Sequence, residues 1–125
     1  MIIPFFIFSS CSSNSDNDGT SVSTTNSIVG KWYIYKNIEG GYTLIGSQIC
    51  SSYPNCKTYE FKSNGTCIFI EYGYTTAYKY KIDGDFVKFY NPQSDALIET
   101  YRIILLTNDE LGIDQTDEIN YFKRI

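Results

Sequence analysis

The sequence predicts an all-β protein, an antiparallel up-and-down β-barrel of about eight strands in a single domain. Three observations predict it. Aromatic residues make up 17% of the 125 residues, with 12 Tyr and 8 Phe, and such rings favour the half-buried, pleated surface of a sheet. From Trp32 onward, short apolar and aromatic runs are separated by Gly, Asn and Asp turns, the punctuation of consecutive hairpins. No segment holds a helical period over about a dozen residues, and no solenoid or propeller repeat is present.

The chain before Trp32 has a different character. Met1 to Ser10 is an apolar run ending in small residues, and Cys11 follows it. The run is too short to span a bilayer, which takes about 20 residues. It matches the end of a signal peptide over residues 1–10, similar to a bacterial lipobox in which Cys11 is acylated and becomes the mature N-terminus. Phe8 stands where Leu is usual and no positive residue precedes the run, which points to a start further upstream. The plainer alternative is a hydrophobic N-terminus with an ordinary cysteine. Residues 11–27 are almost wholly Ser, Thr, Asn, Asp and Gly. They offer too little apolar area to offset the entropy of ordering, so they read as a disordered tether on a membrane anchor. Asp16 and Asp18, close behind Cys11, are similar to the acidic export signal of surface lipoproteins in Bacteroidetes; simple linker solubility accounts for them equally well.

The barrel is expected over residues 28–125. Trp32 to Tyr35 is aromatic and β-branched and opens the first strand, Asn37 to Gly41 turns it, and Tyr42 to Gly46 is a weaker strand. Cys50 to Cys56 is a short loop. Lys57 to Phe61 alternates, and Asn64-Gly65 is the strongest two-residue hairpin signal because both residues tolerate positive φ. A two-residue turn there sets Phe61 opposite Ile68 and Tyr59 opposite Ile70, with all four on the inner face. Thr66 to Tyr72 is the return strand and Gly73 to Thr76 the next turn. Tyr78 to Ile82 alternates with Lys outward, Asp83-Gly84 signals another hairpin, and Phe86 to Tyr90 returns with Val87 and Phe89 on one face. Glu99 to Leu106 is the longest apolar strand. Leu111 to Asp114 runs back, and Ile119 to Ile125 closes with Phe122 and Arg124 sharing a face. Strands so spaced suggest a meander that closes and so removes its edges; an open sandwich is the alternative architecture.

Several of these stretches resemble the lipocalin-like domains of Bacteroidetes lipoproteins. Gly30-Lys31-Trp32 opens the likeness. Cys56 with Tyr59-Glu60-Phe61 and Ser63-Asn64-Gly65-Thr66 carries it on, as do Tyr80-Lys81-Ile82 with Gly84 and Tyr101-Arg102-Ile103 through Leu111. Tyr121-Phe122-Lys123-Arg124 is similar to the family's closing strand. The resemblance implies a Trp that plugs one end of the barrel, beside a Gly that lets the chain turn in tightly. It also implies a small barrel able to hold an apolar ligand, displayed on a lipid anchor at the bacterial outer membrane.

Residue chemistry narrows the function. There is no His, which removes the commonest general base, the commonest metal ligand and any Ser-His system. No enzyme, metal site or cofactor is expected. Ten basic residues against fourteen acidic ones, net −4, argue against nucleic acid as a partner. The turn acids Asp83, Asp85, Asp109, Glu110, Asp114, Asp117 and Glu118 read as backbone caps. Cys50 and Cys56 bracket so short a loop that they are expected to pair in an exported protein, leaving Cys67 free; pairing of Cys67 with either is the alternative. Trp32, Tyr59, Phe61, Ile68, Ile70, Tyr80 and Phe89 are expected inside, where they line a ligand cavity or fill it. Tyr72, Tyr74 and Tyr78 cluster at one hairpin end, where they pack the loop or present faces to a glycan or protein partner. The expected protein is a monomeric, non-enzymatic, lipid-anchored binder of a small apolar ligand. The alternative is a filled barrel acting as an interaction module.

Overall fold

In the computed structural model, residues 21–22 and 27–125 are described, with side chains from residue 27 onward. The expected signal peptide, the acylated Cys11, and Asp16 and Asp18 lie outside the described residues. Ten strands follow in order: β1 (Ser21–Val22), β2 (Gly30–Glu39), β3 (Tyr42–Ile45), β4 (Lys57–Phe61), β5 (Thr66–Glu71), β6 (Tyr74–Asp83), β7 (Phe86–Tyr90), β8 (Leu97–Leu106), β9 (Glu110–Asp114) and β10 (Glu118–Arg124). Among the described residues, one 3-10 turn, Gly46–Gln48, interrupts them.

Eight of the strands close a barrel. The path runs β2–β4–β5–β6–β7–β8–β9–β10 and back to β2, antiparallel at every step. Closure leaves no sheet edge among these eight. β2 is long enough to serve two partners on one side. Its first half, Gly30 to Tyr33, pairs with β4, and its second half, Lys36 to Glu39, pairs with β3. β1 adds a two-residue parallel bridge to Leu105 and Leu106 of β8.

Three bulges re-phase the alternation, one in β2 and two in β8, where Leu97 faces Tyr90 and Glu99 faces Phe89 so that Ile98 is an extra residue. Tyr121 faces Lys36 and Phe122 faces Ile34, so β2 carries one extra residue at Tyr35. Trp32 and Ile34 point inward before the bulge, and Asn37 does so after it. β8 does the same around Ile104, with Ile103 and then Leu106 buried. A bulge adds a residue to one strand and bends it, which suits the tight curvature of a small barrel.

The β4–β5 hairpin differs from the expectation. Phe61 lies opposite Cys67 and Tyr59 opposite Phe69. Lys62 and Thr66 close the turn, with Lys62 N–H donating to the Thr66 carbonyl at 2.8 Å and Gly65 N–H to the Lys62 carbonyl at 3.1 Å. The loop therefore has three residues, Ser63-Asn64-Gly65, with Gly65 at φ 88°. A one-residue slip turns every side chain of the return strand over. Cys67 and Phe69 face in, while Ile68 and Ile70 face out; their assignment to the interior is corrected accordingly.

The interior is packed with rings. Tyr59 sits at the centre, 4.6 Å from Phe69, 5.2 Å from both Phe61 and Phe122, and 5.9 Å from Phe89, centroid to centroid. These separations match offset-stacked and edge-on aromatic contacts. Ile34, Val87, Ile103, Leu111 and Ile113 fill the remainder and are fully buried.

Candidate functional site

The two ends of the barrel differ. One is shut by Trp32, which is wholly buried. Its indole N–H donates to the Ile28 carbonyl at 2.8 Å, and the Arg124 guanidinium lies over the ring at 4.1 Å. Arg124 also donates to the carbonyls of Val29 (2.7 Å), Asn108 (2.7 Å) and Ser27 (3.0 Å). The planar fork of Arg can do this while stacked on a ring, as an ammonium cannot. Gly30 lies beside it at φ 138°, and a Cβ there would meet Arg124 Nη1 at 2.3 Å. The tight turn expected of Gly30 is thus a space requirement as well as a backbone one.

The other end is open. A depression of about 220 Å³ lies there over a floor made by Tyr59, Phe69 and Phe89. Five strands contribute side chains to its walls. β4 gives Lys57, β5 gives Glu71, β6 gives Tyr78, β8 gives Glu99 and Tyr101, and β10 gives Glu118. Gln115 completes the rim. The Lys57 side chain is only 11% exposed and lies between Glu71 at 3.6 Å and Glu118 at 3.8 Å. Two carboxylates answer a nearly buried ammonium, as desolvation demands.

A row of amides supports this rim. Asn37 Nδ2 donates to Glu118 at 2.5 Å and to Asn120 Oδ1 at 2.7 Å, and Asn120 Nδ2 in turn donates to Gln115. Asn120 is completely buried, so its amide has to find protein partners. Burial raises the pKa of the Tyr101 hydroxyl, and the nearby charge of Glu99 adds to the rise, while a hydrogen bond with Gln115 opposes it. Tyr59, at the floor, is pushed well above the usual phenol range by burial.

The residues expected to matter are distributed as follows. Tyr59 and Phe89 form part of the floor of the mouth. Phe61 belongs to the core behind them, and Trp32 to the closed end. Tyr80 packs edge-on against Phe61 at 5.0 Å and donates to the Lys62 carbonyl at 2.7 Å, away from the mouth. Ile68 and Ile70 line a broad depression of about 720 Å³ on the outside of β4 and β5, with Lys31, Thr58, Glu60 and Tyr72. Of the clustered tyrosines, Tyr72 and Tyr74 are exposed, but Tyr78 is turned into the mouth and half-buried. Its placement with the surface rings is corrected: the preceding turn ends at Gly73, so β6 starts at Tyr74 and carries Tyr78 on its inner face. Cys50 and Cys56 form a disulfide, and Cys67 is a buried free thiol.

Sequence reasoning missed Lys57, Glu71, Glu99, Tyr101 and Gln115, and read Glu118 only as a turn acid. One signal was present. Glu99, Tyr101 and Ile103 alternate on β8, so an inward Ile103 implies an inward Glu99.

No protein-family model matches the chain, and no curated protein does. Two crystal structures are similar to it in fold. One is a lipocalin-like protein from Bacteroides uniformis, with a TM-score of 0.55 and 14% identity over 78% of this chain and 98% of that one. The other is an uncharacterized protein from Bacteroides eggerthii, with a TM-score of 0.55 and 13% identity over 78% of this chain and 98% of that one. At such identity the likeness is one of fold, and the fold of this chain, a closed antiparallel barrel of eight strands, is lipocalin-like.

Proposed function

We propose that this protein is a non-enzymatic binding protein of the bacterial cell envelope that holds a small ligand at the open mouth of its barrel. It would act as a monomer, tethered to the outer membrane through acylated Cys11. The observation that carries the reading is the mouth itself: a ring-floored depression of about 220 Å³ with ionised groups converging from four strands. Pockets for drug-sized ligands run to roughly 300–1,000 Å³, so this one suits a small molecule or the head group of a larger one. An apolar ligand swallowed whole is disfavoured, because the rings below already occupy the interior. The absence of His from the sequence and the pairing of Glu71 and Glu118 with Lys57 support a binding rather than a catalytic role.

A second reading has one observation in its favour. Tyr72 and Tyr74 are 58% and 81% exposed and present free ring faces for a glycan or a protein partner. Native mass spectrometry of protein purified from its own membrane, followed by NMR mapping, separates the two. The first reading predicts acylation at Cys11, a co-purifying small molecule, and shift changes at Lys57, Tyr101 and Glu118. Changes confined to Tyr72 and Tyr74 would favour the second. Mature protein that keeps Met1 and lacks an acyl group would remove the anchor from either.

A further inference from the structure

Resting on the mouth as the binding site, we infer that its ligand carries an organic ammonium group, seated between Tyr78, Tyr101 and Glu99. The charges come first. One ammonium, Lys57, and three carboxylates, Glu71, Glu99 and Glu118, line the mouth, a net charge of −2. Lys57 is already held by Glu71 and Glu118. Among the described residues Glu99 has no ion pair and no side-chain hydrogen bond. It is the one carboxylate of the rim left without a counter-charge.

Its surroundings are aromatic. Glu99 lies directly opposite Phe89 in the β7–β8 ladder, on the inward side. Tyr101 follows two residues along the same face, and Tyr78 reaches the same depression from β6. Phe89 meets Tyr78 edge-on at 5.6 Å and Tyr101 edge-on at 5.9 Å, so the two tyrosines flank it. Ring faces are negative and attract an ammonium, most strongly where water is thin. A carboxylate above rings that flank a small hollow is the arrangement such a cation selects.

The other ligand chemistries fit less well. An anion would face Glu99 and would have to strip Lys57 from two carboxylates. An apolar chain has nowhere to go beneath the ring floor. A neutral sugar fits the rings but leaves the charge of Glu99 unanswered.

The test titrates the full chain with four probes and follows the mouth resonances by NMR. The probes are choline, the neutral alcohol in which carbon replaces its nitrogen, tert-butylacetate as an anion of similar size, and glucose. Choline is expected to shift Tyr78, Glu99 and Tyr101 and to bind at least about tenfold more tightly than its neutral isostere, the scale of a charge held by rings and a carboxylate. Glu99→Gln, an isosteric change at an exposed position, and Tyr101→Leu are each expected to weaken choline by about tenfold with the fold intact by circular dichroism. If the isostere binds as tightly as choline, or if glucose or tert-butylacetate binds in its place, the ammonium inference falls while the mouth stands as a site. If none of the four perturbs the mouth, the inference and the mouth reading fall together.

Discussion

Gly30 and Arg124 form one device at the closed end of the barrel. The glycine leaves the space that the guanidinium fills, and the guanidinium covers the Trp32 ring. Gly30→Ala adds a Cβ at a positive φ and pushes Arg124 away, so it is expected to cost about 2–3 kcal/mol by urea unfolding. A cost under half a kcal/mol would mean that the arginine is not needed there. The other residue-scale case is Cys67. Burial pushes its thiol up to about 12, and it is the thiolate that reacts. At mildly alkaline pH the native protein is expected to resist a thiol reagent, and the protein unfolded in urea to react at once. Rapid labelling of the native protein would contradict its inward placement.

At the scale of elements, the β4–β5 hairpin decides what the mouth contains. Its three-residue loop carries Phe69 and Glu71 to the inner face and Ile70 to the outer one. Phe69→Ala removes a ring stacked at 4.6 Å on Tyr59 and is expected to cost about 3 kcal/mol. Ile70→Ala, on the outside, is expected to cost under about 1 kcal/mol. Thermal melts of the pair check the register, and a reversed order would restore the two-residue turn. The Cys50–Cys56 disulfide closes a short loop just before Lys57. Changing both to Ser is expected to lose roughly 2 kcal/mol in the chain-entropy model.

For the whole molecule, the filled interior shapes the response to pH. Burial raises Cys67 from 9.0 to about 12 and Tyr59 well above 10.0. Tyr80 and Tyr101 are raised for the same leading reason. The folded state thus keeps protons that the unfolded chain releases. The stability these groups contribute is fully present below about pH 9 and falls as pH rises toward about 12. The urea midpoint measured across that range is expected to drop, and Cys67→Ala to flatten the first part of the fall. A midpoint that holds steady would show that these groups titrate normally and are not buried.

How much of this could be read in advance depended on the range over which each fact is decided. Local chemistry was legible. Alternation, turn residues, the absence of a helical period, the Gly30-Lys31-Trp32 opening and the Cys50–Cys56 spacing all point to short strands in a meander with one small disulfide loop. Each rests on neighbours within a few residues. The bulges at Tyr35, Ile98 and Ile104 were not legible, because one extra residue changes no local preference and only the curvature of a closing sheet demands it. The hairpin slip escaped for a related reason. Ser63-Asn64-Gly65 suits a two- or a three-residue loop, and the choice falls to whichever face packs better against the core. The mouth was decided last of all. Lys57, Glu71, Glu99 and Glu118 come from four strands up to 61 residues apart, and no spacing along the chain brings them together. The sequence by itself determined strands, turns and the disulfide, since those follow from local sterics and patterning. Only closure of the barrel determined which charges meet at its rim, because that depends on register accumulated around the whole sheet.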